Sequence, residues 1–155
     1  AQSSDLDEAR QRYIDIVWRT LDAEGGDWRW RGRSGVVPLA ITRNVLEIVS
    51  SDEDRCRAHY EIAMKLRYAA GGNPQVIQQV TKHFEAALES NDRSSRYVDA
   101  LMAYAEWVAS YGRINVLDDG RWEWRPEYVR AGALYKRLLD EFKAEEKDQA
   151  EVERR

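Results

Sequence analysis

Three prolines, Pro38, Pro74 and Pro126, each stand directly before a stretch whose apolar residues recur with a period near 3.6. Proline suits the first turn of a helix and harms its interior, so this placement cuts the chain into helices and leaves no long strands. A first helix is expected from about Leu6, after Ser3 and Ser4 as caps, with Leu6, Ala9, Tyr13, Val17 and Leu21 on one face and Gly25-Gly26 ending it. A second begins near Pro38 with Ile41, Val45 and Ile48. Ser51, followed by Asp52, Glu53 and Asp54, opens a third, because acidic residues in a first turn complement the helix dipole. Its stripe is Cys56, Tyr60, Ala63 and Leu66, closed by "GGN". A fourth follows Asn73-Pro74 with Ile77, Val80, Phe84, Ala87 and Leu88. After "SNDRSS" a fifth carries Val98, Leu101, Ala105 and Val108 and stops at Gly112.

Beyond Gly112 the period changes. "RINVLDDGRWEWR" alternates Ile114 and Val116 on one arm with Trp122 and Trp124 on the other, around an Asp-Asp-Gly turn, which is the pattern of a β-hairpin. A sixth helix then runs from Pro126 with Ala131, Tyr135, Leu138 and Phe142 aligned. Residues 1–143 therefore make one helical domain. Residues 144–155, almost all charged, are expected as a helical tail fraying into solvent.

The stretch "GGDWRWRGRSG", residues 25–35, repeats the hairpin's Trp-x-Trp-Arg: Trp28, Trp30 and Arg31 in one segment, Trp122, Trp124 and Arg125 in the other. Residues two apart in a strand share a face, so each pair presents two indoles together. Paired as a mini-sheet, the two segments roof the helices and bring Arg29 opposite Glu123. Left exposed, the same residues make a contact surface, since tryptophan and arginine dominate protein-binding hot spots. Arg29, Arg31 and Arg33 also suit phosphates, with Trp28 or Trp30 stacking on a base. Against nucleic acid stands the acidic balance: net charge −4 and pI near 5.3, the reverse of a protein that coats a polyanion.

Composition bounds the rest. With 43% hydrophobic and 34% charged residues in 155, the chain reads as a well-solvated globular protein. No apolar run approaches the roughly 20 residues of a membrane helix. The N-terminal "AQSSDLDEAR" has neither basic nor apolar signal regions. One cysteine, Cys56, excludes an internal disulfide, and a cytoplasmic protein without membrane contact is expected. Enzyme signatures are missing: no phosphate-binding glycine loop, no His-Glu-x-x-His, no Gly-x-Ser-x-Gly. His59 and His83 fall on neighbouring helices, yet Glu61 and Glu85 lie two residues on and so off their faces. Neither metal nor cofactor is therefore expected. A Cys56–His59 pair is set against an inert buried thiol.

Paired in order, the helices resemble a known family. "HFEAALESND" (83–92) resembles the second helix of a tetratricopeptide repeat, with Phe84 and Ala87 at its three-residue spacing and Val80 where a small residue usually stands. "AHYEIAMKLRYAAGGN" (58–73) resembles the first, with a longer turn. "YAEWVASYG" (104–112) and "RAGALYKRLLDEF" (130–142) resemble the two helices of the related half-a-tetratricopeptide repeat, with the hairpin inserted between them. The resemblance covers about half the chain and implies an adaptor that binds another protein. The expectation is thus a mostly α protein of about six helices in three antiparallel hairpins, with a small β-hairpin or mini-sheet, acting as a scaffold that binds a partner protein or itself. An accessory protein of nucleic acid is the alternative, and an enzyme built around His59 and His83 is a third reading.

Overall fold

The computed structural model describes residues 2–23, 38–90 and 95–154. Six helices account for most of them: α1 (Gln2–Ala23), α2 (Leu39–Ile48), α3 (Asp52–Ala69), α4 (Pro74–Glu89), α5 (Ser95–Ser110) and α6 (Tyr128–Arg154). Between α5 and α6 lie β1 (Arg113–Val116) and β2 (Trp122–Arg125). The starts of α3 and α4 are those the caps dictate, whereas α1 begins at Gln2, ahead of the expected start near Leu6, with Ser3 and Ser4 inside its first turn because no proline or glycine there stops the helix. Ser51 accepts from the Asp54 N–H at 3.2 Å, and Asn73 Oδ1 accepts from the Gln75 N–H at 3.0 Å with Pro74 in the first turn behind it.

Helix directions alternate. Trp18 and Asp22 of α1 bond Asp54 and Arg57 of α3 in the same order, so these two helices run parallel. Thr81 and Glu85 of α4 meet Trp107 and Tyr104 of α5 in reverse order, and Tyr97 and Tyr104 meet Arg137 and Arg130 of α6 likewise. The helices form a chain of antiparallel hairpins in which each buries its apolar stripe against the next. Three clusters make the core. One lies among α1, α2 and α3 around Ile14, Trp18, Val45 and Ala58. The second joins α3, α4 and α5 around Ile62, Phe84 and Trp107, and the third joins α3 to α6 through Cys56, Ala87, Leu101 and Leu138.

Because α3 feeds all three clusters, it is buried far beyond its expected stripe: Ala58, Glu61, Ile62 and Met64 are covered as well as Cys56, Ala63 and Leu66. The opposite happens in α1. Its stripe is buried only from Ile14 onward, and Leu6 and Ala9 are exposed. Trp18 stands level with Asp54, near the start of α3, so the first turns of α1 extend past the start of α3. Tyr135 of α6, expected inside, is also exposed.

The β element is a hairpin of two adjacent strands, with Ile114 opposite Trp124 and Val116 opposite Trp122, closed by the Leu117 N–H donating to the Arg121 carbonyl and the Gly120 N–H donating to the Leu117 carbonyl. The mini-sheet expected from the two Trp-x-Trp-Arg segments is not found among the described residues. Trp122–Arg125 pairs with the strand just before it, because a short turn closes with far less loss of chain entropy than a partner some ninety positions away in sequence. Residues 25–35 lie outside the described residues, and α6 is helical through Arg154.

Candidate functional site

Along α4, residues 77, 81 and 85 share one face at helical spacing, flanked by 78 and 82. That face is one wall of a groove of about 370 Å³ whose other wall is Gly112, just before β1, and Ile114 of β1, with Glu127 and Arg130 at the start of α6. Tertiary contacts fix most of its polar groups. Trp107 donates its indole N–H to Thr81 Oγ1 at 3.0 Å, and Thr81 donates to the Ile77 carbonyl at 3.2 Å. Glu85 Oε1 accepts from the Tyr104 hydroxyl at 2.8 Å and from Arg130 at 3.1 Å, and Arg130 reaches Glu127 at 3.4 Å. Burial, then the bond to Glu85, pushes the Tyr104 hydroxyl well above its ordinary range, so it stays a donor. What remains unspent among the described residues is Gln78 and the Lys82 ammonium, which has no carboxylate partner.

Tyr104 belongs to a motif that the sequence did not announce. Tyr97 repeats it one heptad earlier: its hydroxyl accepts from Arg137 at 2.6 Å and donates to Glu141 at 3.2 Å, as Tyr104 accepts from Arg130 at 2.6 Å. Both guanidinium groups lie near the faces of these rings, 5.7 and 5.5 Å from the centroids. The matching spacing, 97 to 104 and 130 to 137, is the only sequence signal, and it acquires meaning once the two helices are known to be antiparallel neighbours.

The two histidines come together. His59 Nδ1 and His83 Nδ1 are 2.9 Å apart, so one ring carries its proton on Nδ1 and the other accepts it. Burial above all, then the His83 ring and Arg55, lowers the His59 pKa to about 4. Burial and Arg43 lower that of His83. Both rings are therefore neutral near neutral pH, and their mutual bond occupies one nitrogen of each. No group of three metal-ligating side chains occurs among the described residues, and Cys56 is fully buried.

The hairpin turns its indoles inward. Trp107, Tyr111, Trp124 and Trp122 form a continuous ladder with ring centroids 4.2, 5.5 and 5.0 Å apart, and Trp124 packs against the second core cluster, near Gly72 of the α3–α4 turn. Trp122 and Trp124 are half-buried, while Arg125 is exposed and bonded to Glu123. Trp28, Arg29, Trp30, Arg31 and Arg33 lie outside the described residues, so the expected Arg29–Glu123 approach does too. Elsewhere Arg57 and Arg96 converge on Asp22, and Arg67 pairs with Glu106, which leaves these cations neutralised. Glu61 beside Arg57 is a buried carboxyl whose pKa burial raises. No described helix is long and apolar enough to cross a membrane. No family model matches the chain, and no curated protein or solved structure matches it either.

Proposed function

We propose that the protein is a non-enzymatic helical adaptor that holds a short extended segment of another protein in the groove between α4 and β1. The observation that carries this reading is the groove itself: Glu85, Glu127 and Arg130 are bonded to one another, so what it offers is shape, the Gln78 amide and the Lys82 ammonium. The preference for an extended segment comes from β1. Leu117 and Arg121 form a hydrogen-bonded pair, so the alternation of an antiparallel ladder turns the N–H and C=O of Ile114 away from β2. Ile114 lines the groove, and backbone groups that face outward from an edge strand are a standard acceptor for an added strand. The tetratricopeptide-like pattern of α3 to α6 supports the same class of role.

Affinity capture from an extract of the source cells, with the full chain and its Lys82→Glu and Gln78→Arg variants, tests the reading. A partner retained by the wild type and lost from both variants is the expected result. The same set of proteins retained by all three, or none by any, would overturn it.

A further inference from the structure

One face of α6 is left uncovered. Tyr128 is 71% exposed, Val129 90%, Leu139 59% and Tyr135 39%, and with Gly132 they make a stripe about 16 Å long on one side of the helix. A Cβ added at Gly132 meets nothing within 4 Å, so the backbone itself is open to close approach there. This is not the groove side: Arg130 is two residues from Tyr128 and therefore on the far side of the helix, where it reaches Glu85 and Tyr104.

Beside the stripe stand two exposed charges of opposite sign one turn apart, Lys136 and Asp140. Neither forms an ion pair among the described residues, although their spacing permits one and the adjacent Arg137–Glu141 pair forms at 3.3 Å. A two-fold axis crossing the stripe at the level of Leu138 exchanges their positions. Lys136 of one copy then meets Asp140 of the other, twice, along one edge of the contact, with the Leu139 side chains packed beside them. A surface whose charges complement their own image under a two-fold rotation is what an isologous contact requires.

We propose that α6 pairs antiparallel with α6 of a second copy of this chain, with Leu139 at the centre and two reciprocal Lys136–Asp140 bridges along one edge. This stands on a surface separate from the groove and does not depend on it.

Sedimentation equilibrium of the full chain, from low to high micromolar concentration, gives the test. The wild type is expected to be a dimer and Leu139→Glu a monomer. Lys136→Asp and Asp140→Lys, each alone, set like charges face to face and are expected to weaken the dimer on the order of tenfold. An equimolar mixture of the two variants restores both bridges, and with them the wild-type affinity. Both charge sites are exposed, so unchanged circular dichroism is expected and the test survives any misfolding of Leu139→Glu. A wild type that is monomeric throughout, a dimer indifferent to Leu139→Glu, or a mixture no tighter than the single variants would overturn the proposal.

Discussion

The α3–α4 and α5–α6 hairpins solve the same problem by different means. The first closes through a tight turn in which Asn73 donates its N–H to the Ala70 carbonyl at 2.9 Å. The second closes through the whole β-hairpin. Each turn contains a glycine in the left-handed region, Gly71 with φ 51° and Gly112 with φ 57°, but for unlike reasons. Around Gly71 there is open space; at Gly112 a Cβ would sit 2.0 Å from the Arg125 carbonyl oxygen and 2.8 Å from the Glu127 nitrogen. The seams differ as well. The α3–α4 seam places two neutral imidazoles at its polar edge, whereas the α5–α6 seam is fastened by two Tyr–Arg pairs, one bonded to Glu141 of α6 and the other to Glu85 of α4. Equivalent positions in two hairpins therefore respond to different perturbations.

Substituting the two glycines separates the hairpins most sharply. Gly71→Ala should cost about 1 kcal/mol, the strain of a left-handed alanine. Gly112→Ala adds a steric clash with backbone and should cost about 3 kcal/mol or more, with displacement of β2 and the start of α6. Urea denaturation of both variants measures the difference, and equal costs would show that the hairpin yields without consequence. Next in size is Arg130→Met, which removes the cation shared by Tyr104, Glu85 and Glu127. It should lower stability by about 2 kcal/mol, while the same change at exposed Arg121 lowers it by less than about 0.5 kcal/mol.

A smaller effect than that of Arg130→Met belongs to the histidine seam. The His59 pKa in the folded chain, about 4, lies below the ordinary 6.5, so the unfolded chain binds more protons between these values. Stability contributed by the neutral pair is present above pH 6.5 and is lost as pH falls toward 4. The rings are partly open to solvent, so the loss should be about 1 kcal/mol instead of the full value of the shift. Denaturation midpoints at pH 7 and pH 5, compared with a His59→Phe/His83→Phe variant, measure it. The double variant should lose that part of the pH dependence, and an unchanged slope would place the titrating group elsewhere.

Among the described residues, the order and type of the elements were legible in the chain because proline, the caps of α3 and α4 and the 3.6 period act within a few residues of where they stand. Ser51, Asn73-Pro74 and the Asp-Asp-Gly turn needed no distant partner to take effect. So too the buried stripe of α4, since that helix packs on one side. Nothing local told Leu6 that α1 extends past the start of α3, or Glu61 that α3 is surrounded. Burial of a given face depends on what stands beside it, and that is settled by helices far away in sequence. The meeting of His59 with His83, the Tyr–Arg pairs of α5 and α6, the groove beside α4 and the bare stripe of α6 are of this second kind. Each needs two or more helices held at a particular register, and only the packing of the whole core supplies that register.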